Sequence, residues 1–153
     1  MTSECISLVV TPSSFERLKT GNVFGEIYLD YGSGQFPARG WTDFVLRVST
    51  WWLDAIYSLH TKAGDRGQVY FMDGPFRIDL SIDPGDVITL RLVEDRRTRE
   101  NIHPELRVES RVVLADAVSA AGRILAECRL RGWQNKDFLA LEDLYEGVRS
   151  EVR

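Results

Sequence analysis

The sequence predicts an α+β domain: an antiparallel sheet of about five or six strands, with three helices over its dry face. Three observations carry this reading. Apolar residues alternate with period two in several short segments. The period shifts to the helical 3.6 in two other regions, and tight-turn residues stand between the alternating segments. The 153 residues read as a single domain, 1–153, because domains usually run to about 100–200 residues. No Pro, Gly or Ser-rich linker and no internal repeat divides the chain.

Residues 5–11 are rich in β-branched side chains and end at Pro12, which predicts a first strand. Phe15 to Leu18 is a weaker segment, expected as a short strand between the first two. In residues 22–31, Val23, Gly25, Ile27, Leu29 and Tyr31 share one side, and Phe24, Glu26, Tyr28 and Asp30 the other. That is a strand, and the loop Gly32-Ser33-Gly34-Gln35 follows it. From Trp41 the period changes: Phe44, Val45, Val48, Trp51, Trp52, Ala55, Ile56 and Leu59 recur at helical spacing. A helix is expected over about 43–62, with Thr42 or Asp43 as N-cap and Gly64 as its stop.

Gln68 to Met72 predicts a short strand, and Asp73-Gly74 a turn. Phe76, Ile78, Leu80 and Ile82 alternate with Arg77, Asp79 and Ser81. After the turn Asp83-Pro84-Gly85-Asp86, Ile88, Leu90 and Leu92 alternate with Thr89 and Arg91. This is a meander expected to bury Ile78, Leu80, Leu90 and Leu92 and to expose Arg77, Asp79 and Arg91. The polar run 94–104 is expected as a loop, and Leu106 and Val108 as a last short strand. Leu114, Val118, Ala121, Leu125 and Cys128 then form one helical stripe, closed by Gly132. Asn135 caps another, formed by Phe138, Leu141, Leu144, Tyr145 and Val148.

Composition narrows the function. The hydrophobic content is 44%, enough for a core without metals or disulfides, and no run of about 18 apolar residues offers a membrane span. A net charge of −4 repels phosphate backbones, which argues against nucleic acid as a partner. Arg96-Arg97-Thr98-Arg99 is basic, but Glu94, Asp95 and Glu100 flank it, as on a solvated loop. Met1-Thr2-Ser3-Glu4 has no basic leader region, and Cys5 and Cys128 form no CxxC pair; both features predict a cytoplasmic chain with reduced thiols. Cys128 falls on an apolar helical face, as a core filler.

Phosphate-cradling loops, HExxH and GxSxG are absent. His60 and His103 have no ligand spacing around them, and Asp83 and Asp86 read as turn residues. No cofactor and no metal are therefore expected. The aromatic group Trp41, Phe44, Trp51 and Trp52 is the most distinctive feature. Adjacent helical positions diverge by about 100°, so one of Trp51 and Trp52 is expected in the core and the other at its margin, free to meet a partner. The candidate binding residues are Trp41, Asp43, Trp51 and Asp73. Two rival readings stand beside protein binding. One is a small enzyme with a pocket between sheet and first helix, using Asp43 or Asp73 as acid or base. The other is a structural subunit or homo-oligomer, joined through sheet edges or the tryptophan face.

Phe36-Pro37, Trp41, Asp43-Phe44, Trp51-Trp52 and Phe71-Met72-Asp73-Gly74-Pro75-Phe76, taken as a set, resemble small bacterial domains of unknown function. Immunity proteins of polymorphic-toxin and contact-dependent inhibition systems are among them. The resemblance implies a non-enzymatic cytoplasmic protein that neutralises a toxin by binding it. It carries over no active residues. An acidic, compact domain suits capture of a basic toxin.

Overall fold

The computed structural model describes residues 5–152; Met1 to Glu4, read above for a leader, lie outside them. The strands are β1 (Ser7–Arg17), β2 (Val23–Asp30), β3 (Gln35–Phe36), β4 (Thr42–Phe44), β5 (Arg66–Tyr70), β6 (Phe76–Ile82), β7 (Val87–Arg96) and β8 (Arg99–Glu109). The helices are α1 (Val45–His60), α2 (Ser110–Arg131) and α3 (Lys136–Arg149). The fold is α+β, and every strand pairing is antiparallel.

The strands divide into two four-stranded sheets instead of forming the single sheet expected. In the first, β1 and the short β3 and β4 all pair with β2. Both short strands return to the same neighbour, so this sheet is complete before α1 carries the chain to the second, ordered β5-β6-β7-β8. α1 packs on β2 and β4 of the first sheet and on β5 and β6 of the second, while α2 bridges β1 and β8. Buried residues of both sheets and all helices form one core. The principal contacts of α3 are with α1 and α2. The expected three-helix cover is thus two helices on the sheets and a third stacked outside them.

The register pairs Ile78 with Leu92 and Leu80 with Leu90, and all four are buried, as their alternation predicts. On the opposite face Arg91 is 41% exposed, but Arg77 only 12%. Arg77 is screened from water by the carboxylates it binds: Asp79 at 3.0 Å, Asp95 at 2.6 Å and Glu100 at 2.9 Å.

Three boundaries differ from expectation. β1 does not stop at Pro12. It continues to Arg17 through an irregularity between Thr11 and Glu16, where proline is tolerated because no ladder bond is required. Ser14 spans this break: its hydroxyl donates to the Thr11 carbonyl (2.6 Å) and accepts from Glu26 N (2.8 Å). The weak segment from Phe15 is the far end of β1, and Phe15 is seated against Gly25, where an added Cβ would lie 2.5 Å from Phe15 Cδ1.

α1 begins later than expected, at Val45, because Thr42 and Asp43 belong to β4; Phe44 stands at the N-cap with no side-chain cap bond. The helix ends at His60, and the chain turns at Lys62 (φ 65°) before reaching Gly64. The polar run 94–104 is no loop: β7 and β8 extend through it as a long hairpin that pairs Asp95 with Glu100 and Arg96 with Arg99. Residues 95–101 are exposed, so neither face carries the apolar alternation that marks a strand in sequence. The caps of the C-terminal helices are as predicted. Gly132 closes α2 in the left-handed conformation (φ 73°), and Asn135 Oδ1 accepts from Phe138 N at 2.8 Å.

β1 is an edge strand, and α2 shields it. Asp116 accepts from Leu8 N at 2.8 Å and from Ser7 Oγ at 3.0 Å, which occupies an edge amide that would otherwise invite another strand. Burial holds the Asp116 carboxyl above the usual carboxylate range, against the opposing effect of those bonds. A raised folded pKa adds stability that is complete below the unfolded pKa and is lost as pH rises through the folded one. Asp116→Asn keeps an acceptor for Leu8 without the charge. It should therefore gain on the wild type as pH rises from about 3 to about 7. Asp116→Ala leaves the amide unpaired and should cost about 1–3 kcal/mol. Denaturant melts of both variants across that pH range measure the two effects.

Candidate functional site

Trp41, Asp43 and Asp73 come together; Trp51 stands apart. Asp43, the middle residue of β4, is fully buried. Its carboxylate accepts four N–H groups: Trp41 Nε1 at 3.0 Å, Phe44 N at 2.7 Å, Met72 N at 3.2 Å and Asp73 N at 3.1 Å. Two of these belong to the β5–β6 turn, so Asp43 ties the start of α1 to the second sheet. Trp41 lies edge-to-face on Phe76, with ring centroids 5.2 Å apart. Beside them Gly74 (φ 145°) holds a backbone conformation that other residues rarely adopt, and a Cβ there would press on Trp41 Cη2 at 3.1 Å. The side chain of Asp73 is exposed; only its backbone enters the node. An acceptor holding four N–H donors positions backbone, which is the role this geometry gives Asp43.

Trp51 lies about 9 Å along the α1 axis from its first residue, Val45. Its neighbour Trp52 points into the core and is 1% exposed, while Trp51 is 41% exposed. This is the split expected of adjacent helical positions. Trp51 borders a shallow groove of about 370 Å³ between α1 and α3, opposite Lys136 and Ala140. Arg47 spans the groove to Asp137 at 2.9 Å and lies over the Phe44 ring. Arg47 and Thr50 face the start of α3, and Tyr57 donates to Glu151 just beyond its end, so the two helices run parallel.

This alignment gives the surface its chemistry. Asp54, one turn beyond Trp51, is exposed on the same side of α1. On α3, Leu139 is 55% exposed and borders a second hollow with Glu142, Asp143 and Glu146. Glu142 pairs with Arg129 and Glu146 with Arg149. Asp54 and Asp143 form no ion pair among the described residues. The result is an aromatic and an aliphatic anchor on a surface of mixed charge: Arg47, Lys136 and Asp137 line the groove beside Trp51, and Glu142, Asp143 and Glu146 the hollow beside Leu139. The α3 half of this surface escaped sequence reasoning, because exposed polar residues of an amphipathic helix look alike whether or not they bind. The one signal was Leu139, an apolar residue off the buried stripe.

Both histidines, Asp83 and Cys128 have structural surroundings. His60 Nδ1 lies 2.8 Å from Ser110 Oγ, joining the end of α1 to the buried start of α2. The His103 ring packs edge-on against Phe36. Asp83 accepts from Gly85 N and Val87 N, as its turn predicts. The Cys128 thiol is buried and pushed up to about 11, chiefly by desolvation. Cys5 is exposed. Among the described residues no group of three His, Cys, Asp or Glu side chains is placed to hold a metal ion, and no helix is long and apolar enough to cross a membrane. No family model matches the chain, and no curated protein or solved structure is significantly similar to it.

Proposed function

We propose that this protein is a non-enzymatic binding domain that inhibits a toxin by direct contact, in the manner of an immunity protein. The observation that carries the reading is Trp51: an indole 41% exposed on a helix, beside a groove in which Asp137 is paired with Arg47, with Asp54 exposed one turn farther along α1. Exposed tryptophans are enriched among residues that dominate binding energy. Unpaired Asp54 and Asp143 would meet basic side chains of the partner, speed encounter and select against acidic competitors. Leu139 adds apolar area at the same surface. Inhibition would follow from occlusion, so no group on this chain needs to react.

Deleting the gene from its host tests the role. Growth should fail, or collapse under conditions in which the toxin is made. Suppressor mutations should then gather in a single other gene, whose product binds this protein. Normal growth under all such conditions, or suppressors scattered over unrelated genes, would contradict inhibition of a toxin.

A further inference from the structure

The outer face of the second sheet carries a cleft of about 660 Å³ that shares no lining residue with the Trp51 groove. Two rows of polar residues cross it in register. Arg66, Ser81, Thr89 and Arg107 form one; Gln68, Asp79, Arg91 and Glu105 form the other. Neighbouring strands lie about 4.8 Å apart, and residues two apart on a strand about 7 Å. The Ser81 and Thr89 hydroxyls therefore sit side by side on the cleft floor, with Arg66 on the next strand and Arg91 one step along β7. Among the described residues, neither hydroxyl and not the Arg66 guanidinium has a side-chain partner, although all three line the cleft.

The carboxylates there are unequal. Asp79 is neutralised: Arg77 Nε lies 3.0 Å from it and Gln68 Nε2 also 3.0 Å. Arg77 is itself fixed by Asp95 and Glu100. Arg91 lies 3.4 Å from Glu100 and 4.0 Å from Asp79, so a ligand oxyanion would share it with these two carboxylates. Glu105 forms no ion pair among the described residues and faces the cleft from the β8 side. Two guanidinium groups and two hydroxyls thus line one cleft, with the paired Asp79 and the unpaired Glu105 beside them.

We propose that this cleft binds a small ligand carrying an oxyanion and, next to it, a hydroxyl or ammonium donor. Arg66 and Arg91 would hold the oxyanion by charge-assisted hydrogen bonds, with Ser81 and Thr89 beneath it. Glu105 would accept from the neighbouring donor. A polyanionic strand does not suit the cleft, since Glu105 repels a second phosphate and the chain is acidic overall, at −4.

Amide chemical shifts of the full chain report this binding. Inorganic phosphate, inorganic sulfate and glycerol phosphate serve as probes; the first two separate phosphate from sulfate recognition, and the third adds hydroxyl groups. Saturable shifts should be confined to residues 66–68, 79–81, 89–91 and 105. Glycerol phosphate should bind about tenfold more tightly than inorganic phosphate, the equivalent of one good hydrogen bond. Arg66→Gln should weaken all probes about tenfold or more with an unchanged melting temperature, because the residue is exposed. Glu105→Ala should remove the preference for glycerol phosphate. Arg111→Gln, an exposed arginine elsewhere, should change nothing. Shifts that never saturate, that spread to other arginines, or that survive Arg66→Gln would overturn the proposal.

Discussion

Trp52→Ala should destabilise the protein by about 3–5 kcal/mol, a large part of a domain's total stability of about 5–15 kcal/mol. The indole is 1% exposed and belongs to the core that α1 shares with both sheets. Its Nε1 is buried without an acceptor among the described residues. Trp52→Phe should therefore lose volume only, with no hydrogen bond to break, and cost less than the alanine variant. Trp51→Ala, one position away, should change stability by less than about 1 kcal/mol, because its ring already meets water. Chemical denaturation of the three variants gives the comparison. Equal, severe losses for Trp51→Ala and Trp52→Ala would place both rings in the core and remove Trp51 from any binding surface.

The second large effect is expected at Asp43. Removing its carboxylate strips acceptors from four N–H groups at once. Some of these reach water once freed, since Met72 and Asp73 are exposed residues, so the losses do not simply add. Asp43→Ala should still cost about 3 kcal/mol. Asp43→Asn keeps one oxygen but turns an NH₂ group toward other donors, and should fall between the two. Amide exchange at Met72 and Asp73 should accelerate in the asparagine variant even where the fold persists. A stability for Asp43→Ala within about 0.5 kcal/mol of wild type would show that the carboxylate is not the tie between α1 and the β5–β6 turn.

What sequence reasoning could and could not reach follows from what each pattern encodes. Period two marked β2, β6 and the inner half of β7 because one face of each is dry. It failed for residues 95–101, where the hairpin runs beyond the core and both faces are wet. The stripe through Val48, Trp52, Ile56 and Leu59 identified α1, yet the start was displaced to 43 because Asp43 resembles an N-cap. Its carboxylate is instead used by a turn about thirty residues away, a tertiary demand that no local signal carries. The split into two sheets was hidden for a similar reason: alternation tells which face is buried but not which strand is the neighbour. Of the candidate site, Trp41 and Trp51 were found from aromatic content alone. Their separation, and the carboxylates of α3 beside Trp51, depend on how the parallel helices align.

The central claim is that the Trp51 surface binds a basic protein partner. The most direct measurement is the affinity of the suppressor-identified partner for wild type, Trp51→Ala and Asp54→Lys, at low and at physiological salt. Loss of the indole should raise the dissociation constant about thirtyfold or more, in keeping with a hot-spot residue worth about 2 kcal/mol, with the melting temperature unchanged. Asp54→Lys should slow association, most strongly at low salt. Equal affinity of wild type and Trp51→Ala for that partner would contradict the account.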